Sequence, residues 1–227
     1  MLPLLWVASA IARPALADDT PTKADALAAR VVQASGDLYQ LNRLTFTFVV
    51  ESAGQEKLRR THSRDWSAGT VLVELDGRSV QLQGLHHIDP SLAVADPDAH
   101  AEVWSTVAPD VPPATAAHAW STWINDSYWL LAPAKVLDDG VLRSLDAEGN
   151  LVLRFDGVGV TPGDTYALTV DAQTERVTHW TFTLQNGRKG TFAWSEYTAI
   201  GPLVLSMHRA NAAGDFVIRF ADVTLTP

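Results

Sequence analysis

The residues able to do chemistry are few, and their spacing is poor for it. Among seven histidines, His86 and His87 are adjacent, and His62, His179 and His208 sit in strand-like segments. A zinc site needs several imidazole or carboxylate ligands converging on one point. Adjacent histidines in a strand point to opposite faces, and the other three have no carboxylate nearby at ligand spacing. Asn125-Asp126-Ser127 and Asp138-Asp139 are the remaining polar candidates, since two carboxylates can divide general acid and base work. Asn and Asp also cap helix ends and turns, and Asp138-Asp139 runs into Gly140, as a turn would. No nucleophile elbow, zincin helix, phosphate loop or dinucleotide fingerprint is present. With zero cysteines there is no thiol catalysis, no thiolate metal site and no disulfide. The reading is no enzyme: no catalytic residue, no metal and no cofactor are expected.

Charge narrows the partners. The 227 residues carry a net charge of −9, which opposes a phosphate-binding surface, so no nucleic acid is expected. One basic cluster, Lys57-Leu58-Arg59-Arg60, sits in a strand-like run and reads as a solvated strand face.

What remains distinctive is aromatic. WSTWINDSYWLLAP, Trp120 to Pro133, concentrates three of eight tryptophans in one short stretch. Such surface is either core or the wall of a ligand cavity, because a large ring must be covered by something. The elements that would position it follow from periodicity. Ala24–Ser35 has Leu27, Val31 and Val32 at helical spacing and stops at Gly36. Thereafter the period is two. Leu44, Phe46, Phe48 and Val50 alternate with Thr45 and Thr47. Val71, Val73 and Leu75 follow, then Leu151, Leu153 and Phe155; Tyr166, Leu168 and Val170; and Trp180, Phe182 and Leu184 opposite Thr181 and Thr183. About ten short antiparallel strands are expected, with the apolar members on one interior face and the threonines outward. Between the strand sets, residues 84–133 hold five prolines before Trp120 and two helix candidates, Pro97–Ala108 and Pro113–Ile124, each with Pro in the first turn. These and the N-terminal helix would cover the sheet's apolar face. The stretch from Trp120 reads as a covering helix running into a strand.

Residues 1–17, MLPLLWVASAIARPALA, read as a signal peptide: an apolar run too short to span a bilayer, then small Ala15 and Ala17 before Asp18. An exported chain with no cysteine to acylate would be a soluble periplasmic product, with residues 18–227 as a single domain.

Three further stretches carry a resemblance: Ile124–Val141, Leu151–Trp180, and TFAWSEYTAIGPLVLSMHRANAAGDFVIRFADV. In order and content they resemble bacterial exported proteins of the lipoprotein-carrier (LolA-like) superfamily. The resemblance implies an unclosed antiparallel half-barrel whose short helices lid an apolar concavity that receives acyl chains. It transfers no known ligand-gripping residue to a position here. On this reading the protein is a monomeric binding module without chemistry. Its cavity would be lined by Phe46, Phe48, Val71, Val73, Trp104, Trp120, Trp123, Tyr128, Trp129, Leu131, Phe155, Trp180 and Phe182. It would hold a lipid or lipoprotein acyl chain and exchange it with a membrane-bound donor or acceptor protein. The alternatives are an envelope structural or sensor protein with a filled interior, and a hydrolase.

Overall fold

A computed structural model describes residues 22–75, 77–155, 160 and 163–226. The leader read at residues 1–17 lies outside them. The alternating segments form eleven strands among the described residues. They are β1 (Arg43–Ser52), β2 (Gln55–Asp65), β3 (Thr70–Leu75), β4 (Arg78–Leu82), β5 (Val141–Leu145), β6 (Leu151–Phe155), β7 (Thr165–Val170), β8 (Val177–Thr183), β9 (Lys189–Ile200), β10 (Leu203–Asn211) and β11 (Phe216–Thr226). The order in the single sheet is β4-β3-β2-β1-β11-β10-β9-β8-β7-β6-β5. Two meanders are thus joined by antiparallel pairing of β1 with β11, Phe48 opposite Phe220. Strands β4 and β5 are the two edges, so the sheet is not closed into a barrel.

Period-two alternation sends Leu44, Phe46 and Phe48 of β1, Val71 and Val73 of β3, Leu151 and Leu153 of β6, and Trp180 and Phe182 of β8 into one buried face. Each fully buried Leu or Phe contributes roughly 1.5–3 kcal/mol. Two residues of β1 depart from strict alternation. Thr47, expected outward, is buried, and its hydroxyl donates to Asp222 at 3.2 Å. Val49 is buried on the same outer face, in register between Arg59 and Arg219. Long arginine stems cover apolar neighbours while their charged ends stay wet, and these guanidiniums are paired with Glu56 and Glu51.

Three helices cover the concave face: α1 (Lys23–Ser35), α2 (Ala101–Val107) and α3 (Pro113–Leu131). Thr22 opens α1 with a capping box shared with Asp25. Asp25 also accepts from Arg143 Nε of β5 at 2.7 Å, and that bond is the largest cause holding its carboxyl below the usual range. Gly36 ends α1 at φ 92°, and a Cβ there would meet the Pro202 carbonyl oxygen at 2.0 Å. Only glycine fits both the backbone and that close approach.

The connection from β4 to β5 differs from the sequence reading in three places. Pro97 lies before α2, which starts at Ala101 after His100. His86 and His87 lie in a turn and not a strand. Helix α3 continues seven residues past Ile124 to Leu131, so no strand begins in the aromatic stretch.

Candidate ligand cavity

Helix α3 presents two apolar stripes, and they go to different places. Ala116, Ala119, Trp123 and Leu130 face the packed core. Trp120, Ile124 and Tyr128, spaced i, i+4, i+8, share the other stripe with Trp129. That second stripe forms one wall of a cavity of about 460 Å³. The facing wall comes from the sheet: Val141, Phe155, Tyr166, Trp180 and Phe182. Its volume is within the ~300–1,000 Å³ of small-molecule sites.

The rings meet edge to face. Tyr128 lies 5.5 Å from Phe155 at 78° and 5.7 Å from Trp180 at 72°, and Trp180 stacks on Trp194 at 5.3 Å. Such contacts hold the wall rigid. Two donors in this wall, the Tyr128 hydroxyl and Trp180 Nε1, are buried without a hydrogen-bond partner among the described residues. Burial pushes the Tyr128 phenol well above its ordinary range, so it stays a neutral donor.

Polar groups also line the cavity: Asp89, Ser91, Lys135, Asp138, Asp139, Asp164 and Arg188. Several are pinned. Trp120 Nε1 donates to Ser91 Oγ at 3.1 Å, Tyr166 Oη donates to Asp164 at 3.1 Å, and Tyr39 Oη donates to Asp138 at 2.7 Å. Lys135 forms an ion pair with Asp138.

Of the residues expected to line a cavity, Trp120, Tyr128, Trp129, Phe155, Trp180 and Phe182 do surround this one. Phe46, Phe48, Val71, Val73, Trp104, Trp123 and Leu131 lie away from it, in the packed core to which Trp120, Trp180 and Phe182 also belong. The physical reason is the rotation of α3: Trp123 points at β1 and β2, where it meets Phe46 at 5.9 Å and His62 at 6.0 Å. Trp104 of α2 is fully buried, with its indole N–H on the Ala93 carbonyl at 3.4 Å.

Asp126 is not a cap. It sits within α3, fully buried, and its Oδ2 meets His62 Nε2 of β2 at 2.9 Å, while Oδ1 accepts from Asn125 at 2.8 Å. Arg60 stands 3.6 Å from the same carboxylate. His62 and Asp126 are both wholly buried, and neither lines the cavity. The pair therefore fastens α3 to the sheet, and it meets the two lined spaces only through neighbours: Asn125 at the aromatic cavity and Arg60 on β2. Its partners are 64 residues apart, a separation that local spacing does not register.

A second buried charge went unnoticed in the sequence. Arg209 of β10 is fully buried between Trp194, 4.1 Å away, and Phe220, 4.6 Å away, with its Nη1 on the Ser206 carbonyl. Its Nε and Nη2 have no partner among the described residues, and burial pushes the guanidinium down to about 9.

No family model matches the sequence, and no curated protein matches it. Solved structures do. A LolA superfamily protein from Nitrosomonas europaea matches at 11% identity and TM-score 0.48, over 91% of this chain and 94% of that one. A DUF1329 family protein from Desulfovibrio piger matches at 11% identity and TM-score 0.42, over 88% and 90%. A domain named for outer-membrane lipoprotein sorting, from Vibrio parahaemolyticus, matches at 9% identity and TM-score 0.40, over 88% and 91%.

Proposed function

We propose that the protein is an exported binding module, a periplasmic carrier that holds the acyl chain of a lipid or lipoprotein between its concave sheet and α3 and does no chemistry on it. The observation that carries this reading is the aromatic cavity of about 460 Å³ lined by rings together with several charged side chains. An acyl chain entering it gains about 0.8 kcal/mol per buried methylene, while its polar end would pair with those charged side chains. The lining set is then Trp120, Tyr128, Trp129, Phe155, Trp180 and Phe182. The signal-like leader supports export, and the sorting function named for the Vibrio parahaemolyticus domain is compatible with it. Release requires α3 to move or a membrane-bound acceptor to take the chain. A hydrolase is disfavoured because neither member of the one His–Asp pair among the described residues lines the cavity.

Native mass spectrometry of protein purified from the periplasm without detergent tests the reading. Adducts of lipid mass, released by extraction into organic solvent, are expected. A bare mass on a fully folded protein, unchanged after incubation with membrane lipid extract, would favour the filled-interior structural or sensor protein instead.

A further inference from the structure

Strand β2 pairs with β1 along its whole length, from Gln55 opposite Ser52 to Asp65 opposite Arg43. On its other side it pairs with β3 only from His62, opposite Val73, to Asp65, opposite Thr70. Beyond Val73 the hairpin follows β4, with Glu74 opposite Ser79 and Leu75 opposite Arg78. The stretch Gln55–Thr61 therefore has an open backbone edge toward β3, and no backbone hydrogen bond fills it among the described residues. The gap is a cleft of about 540 Å³, bounded by Lys57–Thr61 on one side and by Glu74 and Leu75 on the other, with His118 of α3 above it.

An open edge is a template for another strand, and side chains decide which. In a chain of net charge −9, this cleft gathers Lys57, Arg59, Arg60 and His118 against the single Glu74. Alternation puts Lys57 and Arg59 on the outer face and Leu58 and Arg60 on the inner face, the one His62 shares. A strand added here meets Lys57 and Arg59 on the outer face, while on the inner face Arg60 stands 3.6 Å from Asp126; Leu58 and Leu75 are available to apolar side chains. Arg60 Nε is buried without a partner in the same place. A second copy of this chain is a poor occupant, because pairing two identical edges sets Lys57 and Arg59 against each other.

We propose that the cleft between β2 and β3 receives an extended acidic segment of a partner protein, which adds to the Gln55–Thr61 edge as a strand. Seven residues at about 3.3 Å each span roughly 23 Å, so a segment of six to eight residues fills it. In binding, its carboxylates compete with Glu56, which holds Arg59 at 2.8 Å in the free protein. The site is separate from the aromatic cavity, and the two share no lining residue.

The test is fluorescence anisotropy of a labelled octapeptide of alternating Glu and Val on the full chain, with hydrogen exchange on the complex. Expected are saturable binding weakened by salt, slowed exchange of amides within Gln55–Thr61, and loss of affinity by about tenfold or more in Lys57→Glu/Arg59→Glu at an unchanged melting temperature. The same peptide with alternate backbone nitrogens methylated should not bind. If the reversed variant misfolds, Lys57→Gln/Arg59→Gln should show the same direction of loss. No saturable binding, binding without protection of these amides, or binding by the methylated peptide overturns the proposal. Charge-dependent binding to phosphatidylglycerol vesicles with none to the peptide overturns it too, and assigns the patch to a lipid surface.

Discussion

Replacing Asp126 by Ala should be among the most damaging single changes in this protein. The substitution removes a carboxylate that meets His62 Nε2 at 2.9 Å with neither side chain exposed. His62 Nδ1 already lacks a partner among the described residues, so the variant would leave both ring nitrogens of a buried imidazole unsatisfied. Arg60, 3.6 Å from the carboxylate, loses its nearest anion as well. Removing one partner of a buried pair costs about 3–5 kcal/mol. With a urea m value of about 1–3 kcal/mol per molar, the denaturation midpoint should fall by roughly 1 M or more while m stays constant. Replacing both partners should recover most of the loss in His62→Phe/Asp126→Leu, since the imidazole already stacks on Phe46 at 4.9 Å and a phenyl ring preserves that contact. A cycle through the two single variants and the double isolates the coupling. A cost below about 1 kcal/mol for Asp126→Ala, or purely additive losses, would refute the claim that this pair fastens α3 to the sheet.

Other expectations are simpler. Arg209→Met should leave thermal stability unchanged or raise it, because the cation has no carboxylate partner among the described residues and its stacking on Trp194 and Phe220 must offset a desolvation cost of several kcal/mol; a marked fall in melting temperature would contradict this. Thr22→Ala should cost about 1 kcal/mol through loss of the cap of α1, read in the same urea titration. Asp65 is held down to about 2, first by the Ser67 hydroxyl and then by the Ala68 N–H, below the roughly 3.9 of an unfolded aspartate. Its contribution is complete above pH ~4 and disappears as pH falls toward 2. Asp65→Asn should therefore make the acid loss of stability shallower across that window, measured by thermal melts at each pH.

The parts of the fold that were legible in the sequence are those governed by neighbours in the chain. Alternation in β1, β3, β6 and β8 reports which side is buried, and the run from Ala24 to Ser35 carries its helical spacing and its stop at Gly36. Alternation is silent on how the outer face is covered, so burial of Thr47 against Asp222 and of Val49 between two arginines depends on strands far along the chain. The end of α3 was misread for a similar reason. Asn125-Asp126-Ser127 has the composition of a cap, but the carboxylate is satisfied by a histidine on β2, and the helix runs on. Once α3 is extended, its rotation sorts the tryptophans, with Trp120 and Trp129 toward open space and Trp123 into the core. An aromatic residue looks the same in sequence whether it lines a cavity or fills one. The open edge of β2 is likewise a matter of unequal strand lengths, which only pairing reveals.

The central claim is that an acyl chain lies beside Trp129 and Trp180. The most direct measurement is quenching of tryptophan emission by acyl chains carrying a nitroxide, titrated into the parent, Trp129→Glu and Trp123→Glu. Saturable quenching at one chain per protein is expected for the parent. Trp129→Glu should weaken it by about tenfold or more, since a hydrated carboxylate in the wall opposes an apolar chain. Trp123→Glu, whose ring packs on Phe46 and His62 in the core, should chiefly lower folding stability. Absence of saturable quenching of the well-folded parent across a series of chain lengths, or undiminished binding by Trp129→Glu, would contradict the account.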